Sequence, residues 1–239
     1  MSKQYAAGSK QKTPGSHRVP KSPFSRFPPS SPLPLTPLAR SFYLRPTLLV
    51  ARELLGKLLV RRINKRTLIG RIVEVEAYLG ERDPASHAYR GETQRNNVMF
   101  REGGYLYVYF TYGMHFCCNV VTESAGIGRA VLLRALEPIS GIETMAANRS
   151  IDIDARRDHD AIISRRNIEL TNGPAKLCQA LAIARKENGT DLCGDCIWIS
   201  DGPNFRGHGI VRSRRIGIRV GTERLWRFYA KGNPFVSRR

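Results

Sequence analysis

The stretch Arg71–Leu79, RIVEVEAYL, holds the first residues that could do chemistry. A two-residue period puts Val73, Val75, Ala77 and Leu79 on one face of a strand and gathers Glu74, Glu76 and Tyr78 on the other. One reading of those carboxylates is a solvated outer face. The other reading is catalytic, and it rests on charge. The chain carries 39 Lys and Arg against 20 Asp and Glu, a net charge of +19, which points to a polyanion such as nucleic acid as the partner. A carboxylate facing a polyanion is costly, so Glu76 on that face would be there to act. It could hold and deprotonate a water, worth about 10²–10⁴ in rate. Hydrolysis of a sugar-to-base bond suits such a group, because a nearby carboxylate also stabilises the oxocarbenium-like sugar.

Arg134, in Val131–Leu136, is a charge among apolar neighbours and so needs a partner. Two readings stay open: a structural ion pair or edge residue, and a pairing with Glu76 that orients the water or a phosphate. His87 lies in an irregular excursion over residues 80–104, where a lone His is ordinarily a surface residue. A loop of that length inside a compact domain is more often functional than idle. Asn172-Gly-Pro-Ala-Lys176 opens a helix with free backbone N–H groups beside a Lys. It reads either as an ordinary capped helix or as an anion site for a DNA phosphate. Gly126-Ile-Gly128 is better explained as a hairpin turn than as a phosphate cradle.

In YLYVYFTYGMHFCCNVV, residues 105–121, Tyr105, Tyr107 and Tyr109 share one strand face. Tyr112 falls in the Thr-Tyr-Gly punctuation of a hairpin tip. Periodicity alone leaves a large aromatic at an exposed tip unexplained. The five cysteines are an odd count in a chain with no secretory signal pattern, which suggests free thiols in a reducing compartment. Cys193-Gly-Asp-Cys196 lacks the second pair that a zinc ribbon needs.

The elements that position these residues are legible in outline. Eight prolines between Pro14 and Pro37, amid Ser and Lys, cannot build a core, so residues 1–41 read as a disordered basic arm. Residues 1–52 hold nine Lys or Arg and no acid, leaving 30 basic against 20 acidic residues in the remainder. The arm reads as a DNA tether or inert tail, as a transit peptide, or as the product of a misassigned start. No apolar run reaches the roughly 20 residues of a membrane helix. A short helix follows Pro46 and stops at Gly56, and strands are expected over 57–63, 67–79, 105–110, 130–136, 197–200, 215–220 and 225–230. Helices are expected over 139–148 and 174–184. Strands following strands favour an α+β fold: one domain over 42–239, with a mainly antiparallel, curved, roll-like sheet, flanking helices and a protruding β-hairpin.

Taken in order, Arg71–Gly80, His87, Arg95-Asn96, Met99-Phe100, Tyr105–Tyr109, Tyr112-Gly-Met114, Val131–Pro138, Gly173-Pro174, Lys176–Leu181, Arg227-Phe-Tyr and Gly232-Asn-Pro234 form a familiar series. The chain closely resembles the alkyladenine (3-methyladenine) DNA glycosylase family, the type of mammals and many bacteria, from about residue 42 to the end. The resemblance implies a monofunctional base-excision enzyme with no cofactor and no metal. It would act as a monomer on double-stranded DNA, flip an alkylated or deaminated purine out of the duplex and hydrolyse its N-glycosidic bond.

By that resemblance Glu76 would activate the water and Arg134 would help place it. Tyr78, His87 and Tyr109 would sandwich the base, with Asn119 at the pocket floor. Tyr112 would wedge into the duplex with Met114 beside it, leaving Tyr105 and Tyr107 as support. Gly173 and Lys176 would meet the DNA backbone. His115 and Cys118 depart from the mammalian pattern, and no Lys matches a lyase position. The expected location is intracellular, on DNA: cytoplasm in a bacterium, nucleus in a eukaryote, with an organelle left open.

Overall fold

Asn64 and Lys65, both at positive φ (46° and 64°), make the two-residue turn between β1 (Leu58–Ile63) and β2 (Arg66–Tyr78). Such turns match the twist of the strands they join. The computed structural model describes residues 35–111, 113–152, 165–202 and 209–237, all within the unit Pro32–Arg239. The remaining strands are β3 (Tyr105–Thr111), β4 (His115–Thr122), β5 (Arg129–Ser140), β6 (Thr190–Asp191), β7 (Ile197–Ser200), β8 (Ile210–Ser213) and β9 (Arg227–Ala230). They form one curled antiparallel sheet in the order β6-β3-β4-β5-β2-β1-β7, with β9 pairing both β2 and β8. The helices are α1 (Arg40–Tyr43), α2 (Thr47–Leu54), α3 (Ile142–Asn148), α4 (Arg165–Thr171) and α5 (Pro174–Ala180). The α+β architecture expected from the sequence is therefore borne out.

The 13-residue β2 positions the site. One edge pairs along β5, while the other pairs first with β1 and then with β9 over Glu74–Glu76. No edge of its second half is left for water, and Glu74 and Glu76 are fully buried. The solvated-face reading of these carboxylates is thus overturned. Strict alternation also fails, because register shifts flank Glu74 opposite β5 and leave Val73 without a β5 partner. Such a bulge inserts an unpaired residue and bends the strand. Val73 accordingly packs with Ala135 and Phe235, while Val75 and Ala77 join the main core with Leu54, Leu133, Leu177 and Phe228.

Other boundaries moved for local reasons. Residues 35–41, assigned to the arm on sequence, lie against β7. Leu38 N–H donates to Ile199 O at 2.8 Å, and the Trp198 indole donates to Leu35 O at 2.8 Å. Residues 1–34 are outside the described residues. β5 runs on to Ser140, and its helix begins only at Ile142, after Gly141 at φ 77°. α5 stops at Ala180, with Ala182 at φ 49°. The strand expected over 215–220 is an irregular segment that includes Gly217 at φ 78°, and its residues 216–220 line a cavity.

Candidate active site

Glu76 sits where β2, β5 and β9 meet. Its Oε1 accepts the backbone N–H of Ile216 at 2.7 Å and lies 3.3 Å from Arg134 Nη1, and its Oε2 accepts the Tyr78 hydroxyl at 2.9 Å. Burial raises its pKa above the ordinary carboxylate value, against the lowering by Arg134, the Ile216 N–H and Tyr78. Arg134 is held from behind by Glu74, whose Oε1 lies 2.9 Å from its Nε. Burial works against the Arg134 charge, yet Glu76 and Glu74 together raise its pKa. Glu74 is the wider hub, since it also takes Arg227 Nε at 2.7 Å and the Ser237 N–H at 2.6 Å.

Tyr78, His87, Tyr109, Asn119 and Arg134 line one cavity of about 510 Å³, together with Tyr107 and Cys117. That is within the range of roughly 300–1,000 Å³ usual for small-ligand pockets. His87 meets Tyr109 edge-to-face, with ring centroids 4.5 Å apart, and Tyr107 stacks beside Tyr109 at 5.6 Å. Burial, then the nearby Arg95, lowers the pKa of His87, so a neutral imidazole faces the cavity at neutral pH. Its Nδ1 is 3.0 Å from the Tyr107 hydroxyl. Burial raises the Tyr107 phenol pKa to about 12. Tyr107, read on sequence as support alone, therefore lines the cavity and orients His87. Burial, chiefly, raises the Tyr109 phenol pKa and that of Tyr78 well above the usual value, so both stay neutral. The Asn119 side-chain amide donates to Tyr107 O at 3.2 Å across the β3–β4 pair.

Sequence reasoning missed one wall. Ile216, Gly217, Ile218, Arg219 and Val220 form a lip over the cavity. Arg215 fastens that lip. Its guanidinium pairs with Asp83 through contacts of 2.5 and 2.8 Å, donates to Ala77 O at 3.0 Å and lies over the Tyr78 ring at 4.7 Å. Both members of the Asp83–Arg215 pair are shielded from solvent. The available signal was Gly217 with Gly221, both at positive φ, a spacing that marks a loop rather than a strand.

The other expected residues lie elsewhere. Met114 is 69 % exposed in the turn of the β3–β4 hairpin. Tyr112 lies outside the described residues. Pro174, at the start of α5, lines the cavity, whereas Lys176 turns its ammonium to Asn172 Oδ1 at 2.8 Å. Gly173 is extended, with φ 178°. Burial, followed by Arg149, lowers the Lys176 pKa.

The Glu76 carboxylate thus lies beside the Arg134 guanidinium at an aromatic-walled cavity, in a protein of net charge +19. A family model for methylpurine-DNA glycosylase (MPG) matches residues 41–234. The chain is 46 % identical over 210 residues to a protein of Alkaliphilus oremlandii named "Putative 3-methyladenine DNA glycosylase", covering 84 % of this chain and 99 % of that one. Proteins of the same name from Carboxydothermus hydrogenoformans and Methanocella arvoryzae are each 48 % identical, over 203 and 206 residues. Each match covers 84 % of this chain, with 99 % and 96 % of the relatives. The chain belongs to the methylpurine-DNA glycosylase family, a family of hydrolases of N-glycosyl bonds. The resemblance read from the sequence is borne out. Among the described residues no helix is long and apolar enough to cross a membrane.

Proposed function

We propose that this protein flips an alkylated or deaminated purine out of duplex DNA and hydrolyses its N-glycosidic bond with a water activated by Glu76. The observation that carries the reading is the Glu76–Arg134 contact beneath an aromatic-walled cavity. Arg134 belongs to both places: it touches the buried carboxylate and lines the cavity. A water at that junction is held by Glu76, which takes its proton as the oxygen attacks the sugar carbon. The Glu76 pKa, raised by burial, makes it a stronger base than an exposed carboxylate once ionised. The negative charge also stabilises the oxocarbenium-like sugar as the base departs.

The base enters between Tyr78 and the corner formed by His87 and Tyr109. Cationic lesions such as 3-methyladenine gain about 0.5–2 kcal/mol on such ring faces over a neutral base. Selectivity need not come from binding alone, because a cationic purine is already a good leaving group. Asn119 stands at the floor, where it disfavours the exocyclic amine of normal guanine. Tyr112 fills the gap left in the duplex, returning about 1–3 kcal/mol of stacking against an unstacking cost of a few kcal/mol. Met114 flanks it in the minor groove, and Gly173 and Lys176 meet the backbone. The enzyme works on DNA as a single copy.

The test is a duplex carrying hypoxanthine or ethenoadenine, incubated with protein and then cleaved at abasic sites with alkali. Strand breaks are expected with the natural protein. Glu76→Gln should bind the lesion duplex tightly and leave it nearly intact. Equal cleavage by both proteins would remove Glu76 from the reaction.

A further inference from the structure

The β3–β4 hairpin has a cavity on each face. Tyr107, Tyr109, Cys117 and Asn119 turn to the first cavity, as their cross-strand pairing requires. The alternate positions Val108, Phe110 and Phe116 line a second cavity of about 660 Å³, closed by Gln94, Arg95, Arg185 and Asn188, and Tyr109 borders both cavities. Phe110, 38 % exposed, forms a tilted pair with Phe116 at 5.1 Å between centroids. Large apolar rings left accessible on both strands of one hairpin face call for a planar partner. Arg95 spends one contact on Phe110 O at 3.2 Å, and among the described residues Arg185 has no carboxylate partner. Asn188 holds its Oδ1 on the Val108 N–H at 2.9 Å, which leaves its amide NH₂ as the donor available to the cavity it lines. No carboxylate lines the cavity among the described residues.

Two aromatic rings, two guanidiniums and an amide donor are a recognition set for one unpaired nucleotide, the base on the rings and the phosphate at the cations. Resting on the glycosylase reading, we propose that the second cavity receives the nucleotide opposite the lesion, orphaned when its partner flips into the first cavity. The hairpin's position argues for that strand. The ribbon lies between the two cavities, with Tyr109 bordering both, so a tip inserted at the lesion directs the damaged strand to one face and its complement to the other. Charge agrees, because the cavity offers cations with no competing acid.

The test is a cycle of protein and DNA changes. Affinity is measured in a Glu76→Gln background for a hypoxanthine duplex with thymine opposite the lesion, and for the same duplex with an abasic spacer there. Phe110→Ala should weaken binding to the first duplex roughly fivefold or more and leave the spacer duplex unaffected. An equal loss on both duplexes, no loss, or a greater loss on the spacer would overturn the proposal. Arg185→Ala, at an exposed position that leaves the core intact, should flatten the salt slope on the duplex by about one unit and do nothing on single-stranded hypoxanthine DNA. An unchanged duplex slope, or the same change on the single strand, also overturns it. Excision by the protein with Glu76 intact is followed in parallel. If that excision is absent, the glycosylase reading itself has failed, whatever the cycle shows.

Discussion

The backbone N–H of Ile216 donates to Glu76 Oε1 at 2.7 Å, tying the lip of the cavity to the buried carboxylate across 140 residues of chain. The carboxylate and the wall that covers it are therefore set together. Arg215, next in the chain to Ile216, extends the tie through Asp83. A buried pair of this kind contributes little net stability but fixes geometry, and removing one partner strands a charge.

The first consequence concerns the lip. Asp83→Asn should cost about 3–5 kcal/mol of folding stability, because the Arg215 guanidinium is then buried without its counter-charge. Loosening residues 216–220 should also slow single-turnover excision, even at temperatures where the variant is folded. Thermal melts and single-turnover rates check this together. A variant that melts early but excises at the natural rate would make the pair structural only.

A second expectation follows from the pKa of Glu76, which burial raises and Arg134 lowers. Excision needs the ionised form, so its acid limb should lie above the pH where an exposed glutamate titrates. Arg134→Gln removes the largest opposing influence, and the limb should move to higher pH. Single-turnover rates against pH read this directly, and an unmoved limb would separate Arg134 from Glu76. Stability carries the same sign. A carboxyl whose folded pKa is raised favours folding below its unfolded pKa, and that contribution is lost as pH rises through the folded value. The melting temperature of Glu76→Gln relative to the natural protein should therefore increase with pH across that window.

How much of this was legible in the sequence differs by element. Period-two alternation located β2 and β3, because strands buried on at least one face tend to repeat that way. The same periodicity misjudged the environment of Glu74 and Glu76. Alternation reports which side chains share a face, while the burial of that face comes from β9 and the lip, more than a hundred residues away. Residues 215–220 read as a strand because Ile216, Ile218 and Val220 alternate, yet two glycines at positive φ and the Asp83–Arg215 clasp hold them irregular. The grouping of His87 with Tyr109 could not be read from spacing at all, and on sequence it rested on resemblance alone.

The wedge assigned to Tyr112 predicts a loss confined to binding. Tyr112→Ala should weaken affinity for a lesion duplex by about 1–3 kcal/mol if a stacked ring fills the gap. Thermal stability should stay near that of the natural protein. Unchanged lesion binding with a lowered melting temperature would instead make Tyr112 a packing residue.

Lys176 tests the backbone contact. Its ammonium is held by Asn172 Oδ1 at 2.8 Å, close to the Pro174 that lines the cavity. A phosphate there would release a counterion from the DNA on binding, and that release is independent of sequence. Lys176→Ala should therefore lower affinity on lesion and undamaged duplexes by the same factor and flatten the slope of log affinity against log salt by about one unit. Binding measured at several salt concentrations on both duplexes decides it. A loss seen only on the lesion duplex would move Lys176 from the backbone to the base pocket. An unchanged slope would leave Lys176 bound to Asn172 alone.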